Sequence, residues 1–203
     1  MSSEPMQFFY TSPYVRFEDA TALLGADTNG AAPQRIYGFF VEGEISSDAG
    51  SEDVIESYWL KAVTSPDPGV DHEHTREQEF VAYADAKHVE SILGAVATAS
   101  SIDGYSRKLD GKFDGYHNTS QIEFNDRTSP ECRDDLSCVV TSKGGAFHLK
   151  MLSQTSVVTS VFAKLSPAAV SETLAIVSEV REWNDLKLRE IAAAKVPVSS
   201  MAV

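Results

Sequence analysis

Hydrophobic positions along the chain follow a period of two, then a helical period, and then repeat that succession. From Arg35 to Ile45 the residues Tyr37, Phe39 and Val41 fall on one face and Phe40 on the other, and from Val54 to Val63 the residues Tyr58, Leu60 and Ala62 oppose Trp59. Alternation of this kind predicts strands, and Gly43 predicts a bulge in the first of them. Glu79 to Ala84 supplies a third candidate strand. Val89, Ile92, Leu93 and Val96 are then spaced i, i+3, i+4 and i+7, which predicts a helix with Asp85 as its N-cap and an end near Ser100 to Gly104. Upstream, Gln7 to Tyr10 and Tyr14 to Phe17 suit strands or an extended arm. Asp19 to Leu24 reads as one helical turn, and Gly25 to Pro33, with Asn29-Gly30, as a loop.

Past a polar stretch from Asp103 to Asn118 the pattern restarts. Gln121 to Asn125, Leu136 to Thr141, Ala146 to Leu152 and Val157 to Leu165 are strand candidates, separated by Ser-Pro, by Lys143-Gly-Gly145 and by Ser153-Gln-Thr155. In the third of them Phe147, Leu149 and Met151 alternate with His148 and Lys150, the signature of a sheet with one buried and one wet face. Ser166-Pro167 supplies an N-cap and an N1 proline for a long helix marked by Val170, Leu174, Val177, Val180, Trp183 and Leu188, ending near Lys195.

The expected class is α+β, built from two antiparallel meander-plus-helix units that read as a pseudo-duplication. Residues 1–34 form an N-terminal arm or loop, 35–103 an acidic unit of strands then helix, and 104–118 a connector. Residues 119–196 hold four strands and the long helix, and 197–203 a tail. Each meander has one apolar face that its own helix covers in part, the rest being buried on the other unit or on another subunit. A doubled strands-then-helix plan over roughly residues 35 to 195 resembles the Whirly proteins and the PUR repeat proteins. That resemblance implies binding of single-stranded nucleic acid on the sheets; it is one of element order and carries over no binding residues.

Composition narrows the function classes. With 42% apolar and 23% charged residues the chain can build a core, and two cysteines exclude a disulfide-dense scaffold and a four-thiolate zinc site. Cys132 and Cys138 read either as two reduced thiols or as a pair across a tight turn. The net charge is −13, and the whole excess lies in the residues up to and including Asp103, where five basic residues meet 18 acidic ones; the remainder has 12 of each. Such acidity disfavours nonspecific polyanion binding unless charge is segregated. The near-neutral second half leaves room for a basic patch, with Arg107, Lys108 and Lys112 its candidates. No stretch reaches the roughly 20 apolar residues of a membrane span, and the start, Met1 to Met6, lacks a basic and apolar leader, so a soluble protein of the cytoplasm, or of a virion assembled there, is expected.

Among the motifs, His72 and His74 would point to one side of an extended strand, where two imidazoles can share a metal ion with a carboxylate. His-x-His followed after four residues by Glu79 is similar to the first half of the cupin motif. On that resemblance His72, His74 and Glu79 ligate a divalent transition metal, and His117 is the convenient fourth ligand. The same stretch also reads as a solvated acidic loop, with no cofactor. A nucleophile elbow, a phosphate-binding glycine loop and a dinucleotide turn are all missing. The leading expectation is therefore a non-enzymatic structural or adaptor protein, phage-like or viral in kind, that associates with itself or with another protein. Single-strand binding and cupin-like metal binding are its alternatives.

Overall fold

In the computed structural model, which describes residues 5–19, 23–25, 34–47, 53–63, 79–113, 136–152 and 157–195, the alternating segments pair as their patterning requires. Strands β5 (Gly38–Ser47) and β6 (Ile55–Val63) run antiparallel, with Phe39 opposite Ala62 and Val41 opposite Leu60. This places Phe39, Val41, Ile45, Tyr58, Leu60 and Ala62 on one buried face. Strands β1 (Met6–Thr11) and β2 (Val15–Arg16) follow one another along the free side of β5, and β7 (Glu79–Ala84) lies beyond β6, completing a five-stranded sheet.

Gly43 does not open a bulge. It keeps regular register between Tyr10 and Tyr58, and the missing side chain serves packing instead. A Cβ there would lie 2.5 Å from Cε1 of Tyr58, so the Tyr58 ring covers the glycine.

The second sheet has six strands in the order β4 (Gln34–Arg35), β3 (Leu23–Gly25), β11 (Val157–Ala163), β10 (Ala146–Leu152), β9 (Leu136–Lys143) and β8 (Ser106–Phe113). Gly144 and Gly145, at φ of 61° and 76°, make the two-residue turn between β9 and β10, a conformation that twists with the strands and excludes most side chains. Three expectations change here. Residues 23–25, where the expected helical turn meets the expected loop, form a strand against β11, because a long-range partner outweighs weak local helical spacing. Residues 106–113, within the expected connector, form β8, an edge strand whose polarity made it look like a loop; Leu109 is buried on it and Ser106, Arg107 and Lys108 are exposed. Residues 1–34 are likewise more than an arm, since they supply strands to both sheets. The expected strand at 121–125 and the tail at 197–203 lie outside the described residues.

Both helices start where their caps predict. Asp85 accepts from the His88 amide at 2.8 Å to open α1 (Ala86–Ser101), and Ser166 accepts from the Ala169 amide at 3.1 Å ahead of Pro167 to open α2 (Pro167–Lys195). Half of α1 is buried: Val89, Ile92, Leu93 and Val96, as their spacing predicts, and also Ala86, Ala95, Ala97 and Ala99 on other sides. A helix apolar on several sides belongs in an interior. It contacts β8, β9 and β10 of the six-stranded sheet, β6 and β7 of the five-stranded sheet, and α2.

The long helix α2 follows the six-stranded sheet in sequence but lies on β1, β2 and β5 of the five-stranded one. Trp183 holds it there, with its ring 5.4 Å from Tyr10 and edge-on to Tyr58 at 6.3 Å, and the Tyr58 hydroxyl donates to Asn184 Oδ1 at 2.7 Å inside the core. The expectation that each helix covers part of its own meander thus holds for α1, which contacts β6 and β7, and is corrected for α2. One hydrophobic core, drawing on both sheets and both helices, joins the units 35–103 and 119–196. The class is α+β, with two antiparallel sheets and two helices.

Candidate nucleic-acid interface

The inner face of the six-stranded sheet is built from Leu109, Cys138, Val140, Phe147, Leu149, Val161 and Ala163, all buried. Residues directly opposite one another on paired strands share a face, so the register gives the composition of the outer face. One row across it reads Ser106, Thr141, His148, Phe162, the position of Leu23, and Arg35. The next reads Lys108, Val139, Lys150 and Ser160.

Arg35 and Lys108 are exposed and Lys150 is partly so. Phe162 keeps 42% of its surface in water, a large exposure for an aromatic on the central part of a sheet. The His148 ring meets Phe162 edge-on at 5.7 Å, and its Nε2 lies 2.7 Å from the Ser160 hydroxyl. Partial burial and the neighbouring Lys150 ammonium together hold the His148 imidazole below its ordinary range, so it is neutral at neutral pH. Lys108 and Lys150 sit two strands apart, about 10 Å across the sheet, with Phe162 and His148 one row further along. Among the described side chains no carboxylate lies within these two rows. An open face bearing cations and a π-surface can stack a base and neutralise the adjoining phosphates.

The five-stranded sheet offers the opposite character. On its outer face Glu42 pairs with the Lys61 ammonium at 2.5 Å, Glu44 accepts from the Gln7 amide at 2.8 Å, and Lys61 sits 5.9 Å from the Trp59 ring centre. Of the acidic residues in the first half, Glu42 and Glu44 are described on this face, while Arg35, Lys108 and Lys150 stand on the outer face of the other sheet.

Of the basic residues singled out from the sequence, Lys108 joins the outer face. Arg107 does not, because it stands opposite Val140 and so belongs to the other side of β8, exposed at the edge of the sheet. Lys112 lies on the β8 backbone, with its side chain outside the described residues. Arg35 and Phe162 are marked by no motif in the sequence, and His148 and Lys150 stand out there only as the wet side of an alternating strand. The alternation of His148 and Lys150 with buried neighbours was visible, but the register that aligns them with Phe162 and Lys108 was not.

The metal reading falls largely outside the described residues. His72, His74 and His117 are not among them, and Glu79 is described only as a backbone position at the start of β7. Among the described residues no group of three histidine, cysteine or carboxylate side chains converges on one point. Cys138 is a free thiol in the core, pushed up to about 12 by burial, which marks it as a packing residue; Cys132 lies outside the described residues. No helix among the described residues is long and apolar enough to cross a membrane. Compared with known proteins, the chain matches no family model, no curated protein and no solved structure.

Proposed function

We propose that the protein binds single-stranded nucleic acid on the outer face of its six-stranded sheet. The observation that carries this reading is the segregation of charge: in a chain of net charge −13, Arg35, Lys108 and Lys150 share one open face with the exposed Phe162. Its support is chemical, since phosphates need cations and unpaired bases need an accessible ring. A duplex, whose bases are already stacked, would gain nothing from Phe162. Binding on a sheet is also what the resemblance to Whirly and PUR repeat proteins implies.

Fluorescence anisotropy with a labelled single-stranded oligonucleotide, against the duplex of the same sequence, tests it. The single strand binds at low salt, weakens as salt rises, and is lost in the Lys108→Glu, Lys150→Glu double variant. Absence of binding at low salt, or binding indifferent to that variant, sinks the reading.

Association of the chain with itself in a structural or adaptor role is the second reading. Large apolar side chains left in water, Phe9, Ile55, Leu174 and Leu186, favour it.

A further inference from the structure

The edge strand β1 is Met-Gln-Phe-Phe-Tyr-Thr, six residues with no charge, lying between Pro5 and Pro13. Its pairing with β5 runs unbroken from Met6 opposite Ser47 to Thr11 opposite Glu42, so the strand is regular and presents a straight edge. Among the described residues no strand pairs with its other side. Soluble proteins usually blunt such an edge with an inward charge, a lysine, a bulge or a proline within the strand, and β1 has none of these.

Its inner side chains are anchored. Phe8 lies 4.7 Å beneath the Lys187 ammonium, and Tyr10 stacks on Trp183 and donates to Glu179 at 3.2 Å. On the outer face Phe9 keeps 67% of its surface in water, the highest among the described large apolar side chains.

We propose that the β1 edge is where a second copy of this chain docks, antiparallel, joining two five-stranded sheets into one continuous sheet; this rests on the association reading and names its surface. The strand's own pattern, with polar Gln7 and Thr11 placed evenly about Phe9, selects the occupant. Two molecules of net charge −13 repel over most of their surfaces, and β1 offers them an edge whose own six residues carry no charge. Identical strands related by a two-fold axis complement each other by symmetry, each supplying the amides and carbonyls that the other lacks.

An axis normal to the sheet keeps both inner faces on the same side only when residues of like face oppose each other. Centred on Phe9, that register sets the two exposed Phe9 rings side by side, Phe8 opposite Tyr10, and Gln7 opposite Thr11. The two α2 helices then lie on the same side of the joined sheet, and the basic faces of both six-stranded sheets stay open.

Light scattering behind size exclusion, run on the full chain over a range of concentrations, reads the outcome. A particle of twice 22.1 kDa is expected for the wild type and for Ile55→Lys, a control on the same face but two strands in from the edge. The Phe9→Lys variant, which places a charge against its own symmetry mate, is expected as a monomer with unchanged circular dichroism. Hydrogen exchange on the wild type gives a second reading that needs no variant: the β1 amides that do not bond to β5 are expected to exchange slowly in a manner that fades on dilution. A wild type that stays monomeric at the highest concentration overturns both the surface and the association reading. An oligomer that survives Phe9→Lys, with those β1 amides exchanging freely, overturns the surface alone.

Discussion

Tyr58 is the largest fully buried side chain among the described residues. Its ring fills the space above Gly43, its edge meets Trp183, and its hydroxyl reaches Asn184. Gly43→Ala drives a methyl group into that ring, and a loss of about 1–3 kcal/mol is expected in urea unfolding, as for other overpacked sites. Tyr58→Phe leaves the buried Asn184 carbonyl without its donor, which is expected to cost about 1–3 kcal/mol. Glu56, on the inner face of β6 beside the start of α1, carries a pH dependence. Partial burial raises its carboxyl above the ordinary range and the nearby Asp85 adds to this, while the Ala86 amide and Asn184 pull the other way. A carboxyl whose folded pKa is raised contributes stability in acid, and loses that contribution as pH rises through the folded value. Glu56→Gln, which retains an acceptor, is therefore expected to raise the urea midpoint at neutral pH and to flatten its change toward mildly acid pH.

At the scale of elements, the outer face of the six-stranded sheet makes quantitative demands on binding. Each phosphate neutralised on a single strand contributes about 0.7 to the slope of log affinity against log salt, so Arg35, Lys108 and Lys150 together predict a slope of about −2, falling by about 0.7 with each cation removed. Phe162→Ala is expected to weaken binding by about 1–3 kcal/mol with little change in that slope, since a stacking contact releases no counterions. His148 lies between these groups, neutral at neutral pH and held low by burial and by Lys150. Its protonation adds a cation to the face, so affinity is expected to rise as pH falls below the usual histidine range, and His148→Gln is expected to remove that rise. The helices show how far element-level reading extends. Asp85 and Ser166 opened them where the capping pattern said, because capping is a contact between near neighbours.

On the scale of the whole molecule, the helix crossing sets cooperativity. α1 contacts both sheets, and α2 crosses back to the five-stranded one, so neither half has a complete core. Urea unfolding followed by far-ultraviolet circular dichroism and by the fluorescence of Trp59 and Trp183 is expected to give coincident single transitions. A fragment of residues 1–103 lacks the strands that bury one side of α1 and all of α2, and it is expected to show no near-ultraviolet signal of fixed aromatic packing. Two separable transitions, or a folded fragment, would mean that the shared core is not what stabilises the fold.

Periodicity along the chain was enough to place β5, β6, β7, β9, β10, β11 and both helices close to their ends, because a strand's alternation and a helix's stripe are written in residues two to four apart. It also gave the α+β class and the wet face of β10, with His148 and Lys150 outward. Where local signals were weak it failed: β8 looked like a connector, and β3 looked like a turn of helix, since each is a strand only through its partner. Register and packing belong to tertiary structure alone. They bring Lys108, Lys150, Phe162 and Arg35, distant in sequence, onto one face and send Arg107, adjacent to Lys108, to the other. They also carry each helix to the sheet that lacks cover, because apolar area must be buried somewhere and the chain's order does not say where.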